Sequence, residues 1–310
     1  MTLSTPAGTV SPSTATAQMA DGTNLRTLHW PAVGEPVATA LIVHGLGEHA
    51  GRYGTVGEAL TNAGVDTWGY DQRGFGASGG PRNHVERWDI LHDDLGERVA
   101  TLSAQFPDRP LVMYAHSLGG LIATGYVLSG RERALPDLLV LSAPGLADDL
   151  PGWKRTLAAA LTGIVPKLRI ANGLPSGGLS RDPAIEARIE KDSLATSKST
   201  VRFGAEAFAE QDRVNEALHD LPAMPIPTYV FHGSADPIVP LRATDVFEGM
   251  GNVTRHVHVG LRHECHHEPE HEHVLAEVVA WIGANGVPVR GAAPVHHDEE
   301  HDTVHHPAAV

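Results

Sequence analysis

Short, nearly unbroken apolar runs recur along the chain: residues 37–44 (VATALIVH), 65–70 (VDTWGY), 111–114 (LVMY), 138–142 (LLVLS), 226–231 (IPTYVF) and 254–259 (TRHVHV). Runs of this length, bounded by glycine, proline and turn residues, predict strands, the more continuous ones buried on both faces. Between them lie stretches with helical spacing. Residues 52–63 carry Tyr53, Val56 and Leu60; residues 86–106 form a long amphipathic stretch; and Leu121, Ile122, Tyr126 and Val127 follow the 111–114 run. Helices are also predicted at 241–250 and 270–282, and a weakly alternating edge strand at 24–30. Strand and helix alternate, which predicts an α/β fold, a mostly parallel sheet with helices on both faces.

The alternation breaks between residues 148 and 218, where helical patterns follow one another without a clear strand. This predicts a helical cap inserted over the strand ends. Its stretch 156–168 has an apolar face of Leu157, Leu161, Ile164, Val165 and Leu168. Such a face either packs onto the main body or forms a greasy lid that meets a membrane or micelle. The expected organisation is a Ser/Thr/Ala/Pro-rich disordered lead over 1–18, a core of 19–147 and 219–286, a cap of 148–218, and a disordered tail over 287–310. The tail histidines His296, His297, His301, His305 and His306 could chelate metal, although a solvated tail explains them as well.

Charge and cysteine usage narrow the function classes. A formal charge of −14 over 310 residues argues against nucleic acid as a partner and against steady attachment to anionic lipid. One cysteine, Cys265, excludes an internal disulfide framework and fits a reducing compartment. The N-terminus lacks the basic and apolar regions of a secretion signal, and no apolar stretch is long enough to span a bilayer. The cytoplasm is the expected location, with peripheral contact at membranes left open.

The stretch LVMYAHSLGGLIATGYV, residues 111–127, reads as strand, sharp turn and helix, the layout of a nucleophile elbow around Ser117. Ala115 stands where the G-x-S-x-G pattern has its first glycine. A serine at a helix N-cap is the simpler alternative. Serine needs a base to take its proton, and that base needs an acid to fix its tautomer. In an open parallel sheet such groups meet just past the carboxyl ends of strands. Ser117, Asp236 and His263 each follow a predicted strand, in the chain order of α/β-hydrolases. Asp236 precedes a proline and could be plain turn chemistry. Asp245 is a rival acid inside the next helix, and His256 and His258 are rival bases within a strand, so His263 is preferred. An oxyanion needs two N–H donors. Leu118, directly after the nucleophile, and Leu46, between two glycines after the 37–44 strand, are the expected sources. No cofactor is required.

A second constellation competes. His263-Glu264-Cys265-His266-His267 satisfies H-E-x-x-H, with His273 where a third zinc ligand would lie. Glu270 replaces the glycine that such a site needs, and Pro269 would interrupt the helix. A zinc hydrolase is therefore the remote reading, and no metal is expected. Cys265 reads as a small buried apolar residue.

Several motifs together resemble one family. They are His44-Gly45-Leu46-Gly47-Glu48-His49 with Arg52-Tyr53, Asp71-Gln72-Arg73-Gly74-Phe75-Gly76-Ala77-Ser78-Gly79, and Ala115-His116-Ser117-Leu118-Gly119-Gly120. Leu141-Ser142-Ala143-Pro144, Ser180-Arg181-Asp182-Pro183, the run from His232 to Pro240 and Gly260-Leu261-Arg262-His263-Glu264 complete the set. Over residues 21–284 the chain resembles the monoacylglycerol lipase and lysophospholipase group of α/β-hydrolases, its bacterial members most. The resemblance implies hydrolysis of a small lipid ester, a monoacylglycerol, to glycerol and fatty acid through an acyl-serine. A lysophospholipase or general carboxylesterase is the nearest alternative. It also implies that Glu48, Arg52 and His116 line the polar, headgroup end of the pocket. Ala115, Phe75 and Arg262 depart from the group's usual residues, and Arg262 is expected to alter headgroup preference.

Overall fold

The computed structural model of the chain describes residues 11–173 and 175–291. In chain order its elements begin with strands β1 (Ser13–Gln18), β2 (Asn24–Trp30) and β3 (Ala38–Val43), helix α1 (Gly54–Asn62) and strand β4 (Val65–Tyr70). Then come α2 (Asp89–Gln105), β5 (Leu111–His116), α3 (Leu118–Val127) and β6 (Leu138–Ser142). The inserted segment holds α4 (Gly152–Leu161), β7 (Arg169–Ala171), α5 (Pro183–Lys191), β8 (Lys198–Thr200) and α6 (Val201–His219). The chain returns to the sheet with β9 (Ala223–Gly233) and β10 (Gly251–His258), and closes on α7 (His271–Ala284).

Eight strands form one sheet in the order β1-β2-β4-β3-β5-β6-β9-β10. The pairs from β4 through β3, β5, β6 and β9 to β10 are parallel, while β1 and β2 join antiparallel at one edge. Side chains alternate across each strand. Leu41 and Val43 of β3 enter one apolar cluster with Leu95 of α2 and Ile122 of α3. Ala40 and Ile42 enter the other, with Val56 of α1 and Val278 of α7. Both faces are therefore buried, which is why these strands are apolar throughout. Each fully buried large aliphatic side chain stabilises the fold by about 1.5–3 kcal/mol. The register sets His116 beside Ser142, Ser142 beside Phe231 and His258 beside Gly233, so the carboxyl ends of β5, β6, β9 and β10 finish along one edge.

Four expectations need correction. Residues 13–18 are not a disordered lead: they pair with β2 over six positions although their side chains are mostly exposed. Backbone pairing holds them, and a Ser/Thr/Ala pattern does not announce it. The inserted segment is not free of strands, because β7 and β8 pair antiparallel. Its α6 supplies Phe203, Val214 and Leu218 to the main core, so that end of the insertion packs with the body. The start of the tail is also ordered. Val287 is buried, and the Arg290 guanidinium donates to the carbonyls of Val33 and Glu35. The first ten residues and the five tail histidines lie outside the described residues. Residues 241–247 form a 3-10 helix and not an α-helix. Among the described residues no helix is long and apolar enough to cross a membrane.

Candidate active site

The elbow is built by close backbone approach. Ser117 has φ 52° and ψ −116°, a conformation that non-glycine residues rarely adopt and that neighbouring structure must enforce. Its N–H donates to Ser142 O at 3.0 Å, and its carbonyl accepts from Gly145 N at 2.8 Å and Leu121 N at 3.1 Å. A Cβ at Gly119 would lie 2.2 Å from the Val43 carbonyl oxygen, and one at Gly120 would lie 2.7 Å from Pro144 Cβ. Both glycines are needed for α3 to start against β3 and the 143–145 turn. The extra methyl of Ala115 is buried within the apolar core.

Past the ends of β5, β9 and β10 the three expected side chains meet. Ser117 Oγ lies 2.9 Å from His263 Nε2, and His263 Nδ1 donates to Asp236 Oδ2 at 2.7 Å. The other carboxylate oxygen of Asp236 accepts from the N–H groups of Ile238 at 2.7 Å and Val239 at 3.0 Å. Burial would raise the Asp236 carboxyl, but His263 and His232 outweigh it and hold it well below the usual carboxylate range. Asp236 is therefore ionised, as a group that orients an imidazole must be.

His232 is a partner that sequence reasoning missed. Its Nε2 donates to Asp236 Oδ2 at 2.8 Å and faces Val239 O at 3.1 Å, both acceptors, which fixes the Nε2–H tautomer. Its position in β9, four residues before Asp236, was the available signal.

Leu118 is the first residue of α3, so its N–H has no acceptor within the helix. Leu46 follows Gly45, whose Cβ, if present, would sit 3.3 Å from Ser117 Cβ. The loop holding Leu46 is fastened by Glu48, whose Oε1 accepts from Gly45 N at 2.6 Å and from the Tyr53 hydroxyl at 2.7 Å. Arg52 binds the other Glu48 oxygen and makes a bidentate pair with Glu264, 2.7 Å on each arm. Glu264 also accepts from His267 Nδ1 at 2.7 Å. Burial would raise Glu264, but Arg52 and His267 hold it well below its ordinary range. His116 is buried, with Nδ1 3.0 Å from Ser142 O and its ring 4.7 Å from that of His263. Burial, then the nearby His263, bring its pKa down to about 4, so it is neutral at pH 7. Glu48, Arg52 and His116 thus stand together beside Ser117, with Glu48 and Arg52 already bound to one another.

The H-E-x-x-H segment does not form a helix with its histidines on one face. Cys265–His267 is a single 3-10 turn, and both nitrogens of His263 are engaged by Ser117 and Asp236. Glu264 belongs to Arg52, and His273 is on α7 beside Glu277. Of the rivals, Asp245 pairs with Arg255 at 2.8 Å, and His256 and His258 face Glu277. Cys265 is buried, which pushes its thiol far above the ordinary range.

The cap closes over the site through polar contacts. Thr196 N donates to Gly47 O at 2.8 Å, and His49 Nε2 donates to Asp192 Oδ2 at 2.8 Å. The Arg262 guanidinium donates to the carbonyls of Gly177 at 2.5 Å and Ser180 at 3.1 Å. Buried Glu268 accepts from Arg262 N at 2.7 Å and from Arg181 N at 3.0 Å. Ser117 is only 9% exposed. A cavity of about 360 Å³ opens between α5 and Arg262, but neither Ser117 nor His263 lines it.

Known proteins are similar to this chain over most of its length. The chain is 28% identical over 260 residues to a monoacylglycerol lipase of Mycolicibacterium smegmatis, covering 82% of this chain and 90% of that one. It is 29% identical over 276 residues to the monoglyceride lipase of Mus musculus, covering 85% and 88%. A crystal structure of Paleococcus ferrophilus monoacylglycerol lipase superposes with a TM-score of 0.75 at 27% identity, covering 84% of this chain and 99% of that one. Residues 34–270 match the family described as serine aminopeptidase, S33. With its parallel sheet, its elbow serine and that match over most of its length, the chain belongs to the serine aminopeptidase S33 family of α/β-hydrolases.

Proposed function

We propose that the chain is a serine esterase that hydrolyses monoacylglycerols to glycerol and fatty acid. The observation that carries this reading is the hydrogen-bonded series Ser117 Oγ, His263, Asp236, set at an elbow and covered by a cap. Relatives similar over more than four-fifths of this chain are named for that substrate. Ser117 Oγ attacks the ester carbonyl while His263 Nε2 takes its proton, giving a tetrahedral oxyanion held by the N–H groups of Leu46 and Leu118. Collapse of the oxyanion breaks the bond to the glycerol oxygen, which leaves with the proton from His263. Water, deprotonated by the same imidazole, then releases the fatty acid from the acyl-serine. Asp236 stays ionised and stabilises the imidazolium. His232, sharing the Asp236 oxygen, keeps that carboxylate aimed. Glu48, Arg52 and His116 form the polar wall that receives the glycerol headgroup.

Access requires the cap to lift. The cap exposes Trp153, Leu157, Ile164 and Leu168, a set suited to touching the surface of a micelle or membrane that holds the substrate. Two measurements test the reading. A fluorophosphonate probe should label Ser117 and fail on Ser117→Ala. In a series of glycerol monoesters, lysophospholipids and short aryl esters, the glycerol monoesters should give the highest kcat/KM. A preference for lysophospholipid would move the assignment to that substrate, and absence of labelling would overturn the serine mechanism.

A further inference from the structure

On the far side of the His263 loop, β10 and α7 bring together imidazoles and a carboxylate that the esterase chemistry does not use. His256 and His258 are two apart on β10 and so share one face. Thr254, on that same face, accepts a hydrogen bond from Trp281 Nε1 of α7 at 3.1 Å, so the face looks at α7. There Glu277 points back: its Oε2 is 3.8 Å from His256 Nε2 and 3.7 Å from His258 Nε2. The three donor atoms all lie within 4.8 Å of one another. We propose that His256, His258 and Glu277 form a binding site for a divalent transition metal of the zinc class, tying β10 to α7.

Several features favour that ligand. Bonds of about 2.0–2.1 Å in tetrahedral zinc place neighbouring ligand atoms roughly 3.3 Å apart. The two histidine-to-carboxylate spacings are only a little wider, within reach of small side-chain movements. His258 is 6% exposed, and its Nε2, the atom facing Glu277, is buried with no hydrogen-bond partner. A buried polar atom left without a partner is costly, and a metal bond would satisfy it. The carboxylate is itself oriented. Tyr229 OH donates to Oε2 at 3.3 Å, and His273 Nε2 lies 3.0 Å from Oε1. Such outer partners hold metal ligands in place. Two imidazoles and one carboxylate suit zinc, with copper(II) and nickel(II) as competitors, and do not suit calcium or magnesium, which prefer all-oxygen sites. The fourth position is open to water. The metal would pin both ends of the segment 259–270, which carries His263 and Glu264, without touching either.

The test is zinc titration of the full-length chain against a chromophoric chelator, on a background with His296, His297, His301, His305 and His306 replaced by serine. That background removes the competing tail. One zinc should bind at micromolar or lower concentration and raise Tm. Adding His256→Asn and His258→Asn should weaken binding about 100-fold and abolish the Tm shift. Glu277→Gln, which preserves shape and hydrogen bonding, should weaken it about 10-fold and decides the matter if the double variant does not fold. Cobalt(II) should give the visible bands of a tetrahedral site. The proposal is overturned if the tail-replaced chain takes up no zinc in the micromolar range. It is equally overturned if uptake survives these substitutions, since the metal would then sit elsewhere, as at Glu264, His266 and His267.

Discussion

The carboxyl edge of the sheet and the cap above it are built on opposite plans. At the edge, Ser117 and Asp236 follow strands paired on both sides, His263 follows the outermost strand β10, and hydrogen bonds from several directions hold the three together. In the cap, α6 is packed into the main core, but α4 buries none of its residues, and the stretch between them meets the body through polar bonds such as Thr196 to Gly47, Asp192 to His49, and Ser180 and Arg181 to Glu268. The difference shows where rigidity is concentrated. Proton transfer from serine to histidine depends on a spacing near 3 Å, which only a packed scaffold maintains. A substrate door needs the reverse, a unit that opens at low cost while the scaffold stays intact.

The largest expected effect lies at the edge. Asp236→Asn should lower kcat on a soluble aryl ester by about 10⁴-fold, because His263 loses both the correct tautomer and the countercharge. Circular dichroism and thermal unfolding should show a folded protein. A loss below tenfold would mean that Asp236 does not orient the base.

Next in size is a pH effect that belongs to the scaffold. His116 has its pKa lowered from 6.5 to about 4. As pH falls from 6.5 towards 4, the unfolded chain takes up a proton at this residue and the native chain does not, so stability declines through that window. The ceiling is about 3 kcal/mol. His258, lowered to about 3, acts in the same direction. Urea unfolding at pH 7 and pH 4.5 should show His116→Gln losing less stability on acidification than the parent. Equal losses would place the acid sensitivity elsewhere.

A smaller effect should separate the two regions directly. Glu268 is buried and accepts from Ser180, Arg181 and the Arg262 backbone, joining the cap to the His263 loop. Arg181 is partly exposed, so solvent screens its pairing, and Glu268→Ala should loosen the latch by about 2 kcal/mol, or roughly 30-fold in local opening. Hydrogen exchange should speed up over residues 176–191 while β5 and α3 keep their protection. Uniform acceleration across the chain would show that the cap does not open as a separate unit.

These two regions also differ in how far the sequence discloses them. β3 and β5 are legible because burial on both faces forces continuous apolar runs, and the triad because strand ends and residue type together leave few choices. β1 is not legible: its pairing uses backbone groups, which every residue carries. His232 is hidden among twenty histidines, since its role depends on which way one ring turns. Glu268 is obscured for another reason, because its cap partners Ser180 and Arg181 lie more than eighty residues away in sequence. The cap helix is misjudged at its end. The apolar spacing runs on through Ile164 and Leu168, but α4 stops at Leu161, ahead of Gly163 and Pro166, which do not continue a helix, and Ile164 and Leu168 face outward.

That outward-facing set supports the smallest and most discriminating prediction. Ile164 is 77% exposed and Trp153 64%, an unfavourable placement for apolar surface in water unless another apolar phase receives it. Burying one such side chain in the boundary of a lipid aggregate is worth about 1 kcal/mol, part of the value for full burial. Ile164→Ser should therefore reduce binding to zwitterionic vesicles, and kcat/KM on monoacylglycerol presented in them, by roughly fivefold. The formal charge of −14 makes anionic vesicles the poorer surface for parent and variant alike. Turnover of a soluble short-chain ester should stay within twofold of the parent, because Ile164 lies in the exposed cap and the elbow is unaffected. An equal fall on the soluble and the vesicle-held ester would show instead that Ile164 supports cap packing over Ser117, and would remove the surface-contact role from the cap.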